Sequence, residues 1–261
     1  MRVSIINCVS TAAKMMAFSD RSLFCNAGHD EFDYVVVKWQ TNLAVDKYLE
    51  ELPLLARRYC PRCTIHVLDH QTRDDVGYVP NLRAMMNDGF AYGFQCNQYA
   101  GLVNTDCYFG PGWLANLVKY AASNRVINSR HITAAHAPYP VYGIVTEDLG
   151  VPEPETFDVA RFYELCFQLY RDRCVSAEEI NGEGGYRQVA TMPYLFHRTF
   201  WHQCGPWELE LTHGTPDVRF FDRMHEAGAQ FALSESSIVY HHEAVERRRV
   251  RPSGAEHLPE E

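Results

Sequence analysis

Asp106 ends the run Gly101-Leu102-Val103-Asn104-Thr105-Asp106, and Gly110-Pro111-Gly112-Trp113 comes shortly after it. A short apolar run that finishes on a carboxylate and then turns reads as a buried strand. It would deliver Asp106 to its C-terminal end, with a helix starting near Trp113. Ligands of open α/β sheets sit at that end of the strands. A carboxylate there suits a hard divalent cation, which in turn suits a diphosphate. Asn104 stands beside it as a further donor-site candidate. His241 and His242 close a strand-like run over residues 237–240. An imidazole added to the carboxylate favours Mn²⁺ over Mg²⁺. Adjacent strand residues face opposite ways, so one of the two histidines can point at the site.

Other residues with usable chemistry lie along the chain. Asp217 stands just ahead of the amphipathic run 218–227. It is a candidate general base and equally a candidate helix N-cap after Thr215-Pro216, and one residue can serve both roles. Asp69 ends the run Thr64-Ile65-His66-Val67-Leu68, where it can accept from a base N–H or cap a loop. Trp39 can stack on a base or ribose, or pack in the core, and Gln40 follows it. Arg83 is a polar candidate for phosphate or ribose.

Composition bounds the possibilities. The chain has 261 residues, is 46% hydrophobic and 13% aromatic, and carries a net charge of −9. That is enough for a sizeable core in one large domain. The acidic balance weighs against a protein that grips nucleic acid by charge alone. No apolar run reaches the roughly 18–20 residues of a membrane span, and residues 1–16 lack a continuous apolar stretch, so a cytoplasmic protein without a transmembrane segment is expected. Nine cysteines are scattered along the chain. Cys60-Pro61-Arg62-Cys63 has CxxC spacing without a second pair at zinc-finger distance, and reads as a helix-to-strand corner.

The elements that must position these residues follow in order. Residues 2–9 read as a strand and 11–33 as a mixed helix and loop. Residues 34–39 are a β-branched strand. A helix from 43 toward Pro61 and a strand over 64–68 complete a βαβ unit, which builds a parallel sheet. Residues 69–75 read as a polar loop, 113–123 as a helix and 132–137 as a strand. Residues 138–190 are rich in proline early on, then carry a helical pattern over 157–173 and a glycine-rich loop at 181–185. This block reads as an insertion or lid over the sheet edge. A strand over 192–196, helices over 199–204 and 218–227, and strand-like runs at 231–233 and 237–240 follow. The expected organisation is one domain over 1–245 with a charged tail over 246–261.

In this order the pieces resemble the GT-A glycosyltransferases, specifically the family-2-like nucleotide-sugar enzymes, across residues 33–243. The resemblance rests on Val67-Leu68-Asp69 and on Asn87-Asp88-Gly89-Phe90-Ala91, like the family's N-x-G-F-A turn. It also rests on Asn104-Thr105-Asp106 with Pro111-Gly112-Trp113-Leu114, and on Gly205-Pro206-Trp207-Glu208, Pro216-Asp217 and Val239-Tyr240-His241-His242. The acidic motif reads Asn-Thr-Asp, which leaves Asp106 as its one strong anionic ligand.

The resemblance implies a mostly parallel, Rossmann-like central sheet flanked by helices, with 138–190 on the acceptor side. It implies metal-dependent transfer of a sugar from a nucleoside-diphosphate sugar, UDP-sugar first, to a hydroxyl, with inversion and Asp217 as base. Asp106 with His241 or His242 would hold the divalent cation, and Trp207 would lie near the donor sugar or acceptor. Glycan, lipid-linked sugar, protein and modified nucleobase all fit as acceptor. Two other readings stand beside it: a nucleotidyltransferase, and a non-catalytic nucleotide-sugar or carbohydrate binder. The former calls for a glycine-rich phosphate loop after the first strand, where the chain has Lys38-Trp39-Gln40-Thr41.

Overall fold

The computed structural model describes residues 1–9, 13–39, 43–71, 78–134, 142, 144–150, 155–181, 186–189, 192–209 and 216–242, with backbone alone at 78, 79, 181, 188 and 216–218. Strand β1 (Val3–Val9) leads through helix α1 (Ala13–Cys25) to β2 (Phe32–Trp39), α2 (Leu43–Tyr59) and β3 (Thr64–His70). Helix α3 (Tyr78–Cys96), β4 (Tyr99–Val103), β5 (Cys107–Phe109), α4 (Trp113–Tyr120) and β6 (Arg125–Thr133) follow. The second half comprises β7 (Val145–Thr146), α5 (Val159–Leu169), β8 (Cys174–Ser176), α6 (Ala177–Asn181), α7 (Tyr186–Val189), β9 (Tyr194–His197), α8 (Arg198–Cys204), α9 (Pro216–Glu226) and β10 (Gln230–His241).

One sheet joins all ten strands in the order β3-β2-β1-β4-β9-β6-β10-β5, with β7 beside β6 and β8 beside β10. Strands β5, β8 and β9 run against the rest. The architecture is a mixed α/β layer structure with a mostly parallel sheet flanked by helices. Strand β1 and most of β2 are buried on both faces, as suits strands covered by helices on either side. Val3, Ile5, Phe32, Tyr34 and Val36 meet α1, α2 and α4, whereas Ile6, Val35 and Val37 meet α3. At the start of the sheet, Asp33 accepts two bonds from Arg2 at 2.8 Å and one from Asn97 at 2.7 Å, which ties β1, β2 and the end of α3 together. Cys60 and Cys63 stand at the α2–β3 corner, and Cys60 donates to the Phe24 carbonyl. The part of the 138–190 block that is described adds to the sheet through β7 and β8, and α5 packs on β10. No helix among the described residues is long and apolar enough to cross a membrane. The tail over 246–261 lies outside the described residues.

Three expectations are corrected. The Asn87–Ala91 stretch is no turn; it lies inside α3. A Cβ on Gly89 would sit 2.5 Å from Ile6 Cγ2 and 3.0 Å from Val37 Cγ2, so this glycine lets the helix lie close on the sheet. The strand expected at 132–137 begins at Arg125, because Asn128, Ser129 and His131 are polar yet buried; residues 135–137 lie outside the described set. The runs 231–233 and 237–240 are one strand, β10, broken in pattern by a bulge between Ser234 and Ile238. The bulge buries Glu235 beside Arg130 and Arg173, which hold its carboxyl below the usual range despite burial.

Asp20 of α1 is fully buried. Burial raises its carboxyl to about 7, against the hydroxyls of Tyr34 and Tyr48 that donate to it. An unfolded Asp titrates near about 3.9. A carboxyl raised on folding contributes stability that is full below the unfolded value and lost as pH rises through about 7.

Two stability measurements follow. Gly89→Ala gains about 0.5–1 kcal/mol of helix propensity but overpacks a stiff β-branched neighbour at about 1–3 kcal/mol. A lower denaturant midpoint is therefore expected; an unchanged or higher one would contradict the close-approach account. Asp20→Asn removes the titrating group, so its stability relative to the parent should rise between pH 5 and pH 8. A pH-independent difference would show that Asp20 does not carry a raised pKa.

Candidate functional site

The chain leaves β4 through a turn closed by the Cys107 N–H donating to the Asn104 carbonyl at 3.3 Å. The turn buries Asp106 at 7% exposure. Strand β10 arrives from the far end of the chain, and its last residue, His241, pairs in register with Cys107 of β5. The His241 Nε2 atom lies 3.3 Å from Asp106 Oδ1. The His242 backbone N–H donates to the Asp106 carbonyl at 2.9 Å, so the end of β10 pins the turn. Burial by itself would push the Asp106 carboxyl up, but His241, with His242 adding to it, holds it below its ordinary value.

Of the two histidines, His241 faces Asp106. The His242 ring packs edge-on against Tyr240, Phe157 and Phe18, with centroids 4.6, 5.2 and 6.0 Å away. Burial pushes it down to about 4, against the pull of Asp106, so it is neutral at pH 7. Two further residues belong to the cluster, and sequence reasoning missed both. The ring of His131 lies 5.7 Å from that of His241 and its Nε2 donates to the Met192 carbonyl. Burial and His241 hold its pKa down at about 3. Cys107 places its sulfur with the Asp106 oxygen and the His241 nitrogen, all within 4.8 Å of one another. The only signal in the sequence was its adjacency to Asp106.

A carboxylate oxygen and an imidazole nitrogen 3.3 Å apart fit a divalent cation. When His241 carries a proton the two form an ion pair. As the neutral imidazole, His241 and Asp106 offer lone pairs to a shared point.

The remaining candidates are spread around this centre. Trp39 ends β2, half-buried against the core beside α3; Gln40 lies outside the described residues. Asp69 sits within β3 rather than in a following loop. Its side chain is 78% exposed and bonds Lys38 at 2.9 Å, which also pairs with Asp46. Asn104 opens the Asp106 turn and is half-buried.

Arg83 and Trp207 point into the protein. The Arg83 Nη1 donates to the carbonyls of Glu208 and Leu209 at 3.2 and 3.1 Å. Trp207 is 2% exposed, stacks on Phe220 at 3.8 Å and packs on Phe90, so its face is taken up by core aromatics rather than left open to a sugar. Asn87 clamps its backbone from both sides, with bonds of 2.8 and 3.0 Å. Asp217 lies in the first turn of α9, one residue after Pro216. That helix is tied to the preceding loop by Glu208, which pairs with Arg219 and Arg223.

The sequence matches no known family profile and no curated protein. Solved structures are similar in backbone. TarS from S. aureus aligns with 93% of this chain at a TM-score of 0.60 and 13% identity. The mannosyltransferase PcManGT from Pyrobaculum calidifontis, in complex with GDP-Man and Mn²⁺, aligns with 92% at 0.55 and 10% identity. GalNAc-T7, with UDP, GalNAc and Mn²⁺, aligns with 98% at 0.52 and 11% identity. This chain spans 37%, 56% and 44% of those proteins' own lengths. Likeness at such identity is one of architecture, and by that architecture the chain carries the GT-A fold of glycosyltransferases.

Proposed function

We propose that this protein transfers a glycosyl group from a nucleoside-diphosphate sugar to a hydroxyl acceptor, with a divalent cation held by Asp106 and His241. The observation that carries this reading is the meeting of those two side chains, 3.3 Å apart, just beyond the C-terminal end of β4. Ligands of open parallel sheets bind at that end. Support comes from the shared fold of two proteins solved with Mn²⁺ and either GDP-Man or UDP and GalNAc. An imidazole among the donors favours Mn²⁺ over Mg²⁺, and UDP-sugars are the first donors to test.

A bound divalent cation supplies neutralisation of the diphosphate leaving group. The chain's own residues do the rest. The turn closed by Asn104 and Cys107, pinned by the His242 N–H, fixes where Asp106 points. His131, neutral and tied to a backbone carbonyl, packs beside His241. Asp217, in the first turn of α9, is assigned as the base. It takes the acceptor hydroxyl proton as that oxygen bonds the anomeric carbon and the bond from that carbon to the phosphate oxygen breaks, with inversion. Trp39 and Asp69, at the carboxyl ends of β2 and β3, are assigned to the nucleotide side.

Two variants separate binding from chemistry. A donor that binds only the native state raises Tm by mass action, by about 2.7 kcal/mol of stability at a hundredfold excess over Kd. Asp106→Ala should abolish the Mn²⁺-dependent part of the Tm rise given by UDP- and GDP-sugars. Asp217→Asn should keep that rise while slowing transfer or donor hydrolysis by about 10²–10⁴-fold. Turnover unchanged in both variants would refute the mechanism. A donor-induced rise without any turnover in the parent protein would instead support a nucleotide-sugar binder.

A further inference from the structure

We infer that Cys107 is a third donor to the cation held by Asp106 and His241, so that this centre takes the borderline-soft ions zinc and cobalt(II) in preference to magnesium. The inference rests on the metal reading of Asp106 and His241 and goes beyond it by changing the chemical character of the site.

Two independent observations place the sulfur. First, Cys107 of β5 and His241 of β10 are direct partners in an antiparallel pair. Side chains of directly opposed residues stand on the same face of the sheet, with Cβ atoms about 4.5–5.5 Å apart. The pairing therefore commits Cys107 to the face from which His241 reaches Asp106. Second, one carboxylate oxygen of Asp106, the Cys107 sulfur and one His241 nitrogen lie within 4.8 Å of one another. Zinc–sulfur bonds are about 2.3 Å and zinc–nitrogen bonds about 2.0–2.1 Å, so donors around one ion approach to about 4 Å or less, a small adjustment from this arrangement. The chain has nine cysteines, yet among the described residues only Cys107 shares such a cluster with a carboxylate and an imidazole. It is 1% exposed, so the sulfur meets an ion in a site with little competing water.

The donor set decides selectivity. Carboxylate and water suit magnesium and manganese, whereas a thiolate adds a soft ligand that zinc and cobalt(II) bind well and magnesium does not. On coordination the Cys107 sulfur gives a lone pair to the ion and its proton leaves to solvent.

The test uses the full chain titrated with Co²⁺ and followed by absorption, with Mn²⁺ and Zn²⁺ affinities measured in parallel by calorimetry. A thiolate-to-cobalt charge-transfer band in the near ultraviolet is expected at one equivalent. It should vanish in Cys107→Ser and in Cys107→Ala, the second variant leaving no polar atom in the buried position. Both variants, once shown folded by circular dichroism, should keep the Mn²⁺ affinity within a few-fold while Zn²⁺ affinity falls by about tenfold or more. Cobalt that binds without the band, or a band that persists in both variants, overturns the role of Cys107 and leaves Asp106 and His241 untouched. Failure of the parent protein to bind Co²⁺, Zn²⁺ or Mn²⁺ overturns the metal reading itself.

Discussion

The site depends on the register of one strand. Strand β10 pairs with β6 along its length, with β8 early and with β5 at its end. Only in this register does His241 face Asp106 while the His242 ring enters the aromatic cluster on the other side. A slip of one residue would exchange the two faces. The bulge at Ser234–Ile238 fixes the register through buried polar groups. Ser237 bonds Ser129 at 2.8 Å and the Trp113 carbonyl at 2.8 Å, Asn116 bonds the Ser236 carbonyl at 2.8 Å, and Glu235 pairs with Arg130 and Arg173. Buried polar groups must find partners or destabilise the fold, so these bonds penalise every other register. Polar residues that look misplaced in a strand thereby hold a histidine in position.

Two buried carboxylates show how environment divides labour in one fold. Asp20 is met by the hydroxyls of Tyr34 and Tyr48, and burial raises its carboxyl to about 7. Asp106 is also buried, but His241 on β10 holds its carboxyl below the ordinary value. Burial acts on both in the same direction, and the neighbour decides the outcome. Asp20 contributes to packing among α1, β2 and α2. Asp106 stands just beyond the C-terminal end of β4, with its carboxyl held below its ordinary value.

The same logic separates the tryptophan and arginine candidates from the Asp106–His241 cluster. Trp207 and Arg83 stand in motifs that suggested ligand contacts, yet Asn87, Phe90 and Phe220 enclose the first, and loop carbonyls hold an Nη1 of the second. Their described contacts organise the loop that carries Glu208, and Glu208 anchors α9 and with it the Asp217 turn.

The sequence by itself determined the layer plan and the place of Asp106 at a strand end. Val35-Val36-Val37 announced a strand buried on both faces, the 43–59 pattern a helix between two parallel strands, and Asp106 an acid at a strand end, because periodicity and turn residues are local properties of the chain. The joining of runs 231–233 and 237–240 into one strand, the start of β6 at Arg125 and the choice of His241 over His242 were decided by tertiary structure. Each turns on a buried polar residue or a register whose partner lies far away in sequence. The resemblance alone put Gly89 in a turn; what requires this glycine is the side chain of Ile6 on another element. Cys107 and His131 carried no periodic or motif signal at all. They join the site only because β5, β6 and β10 bring three distant stretches to one end of the sheet.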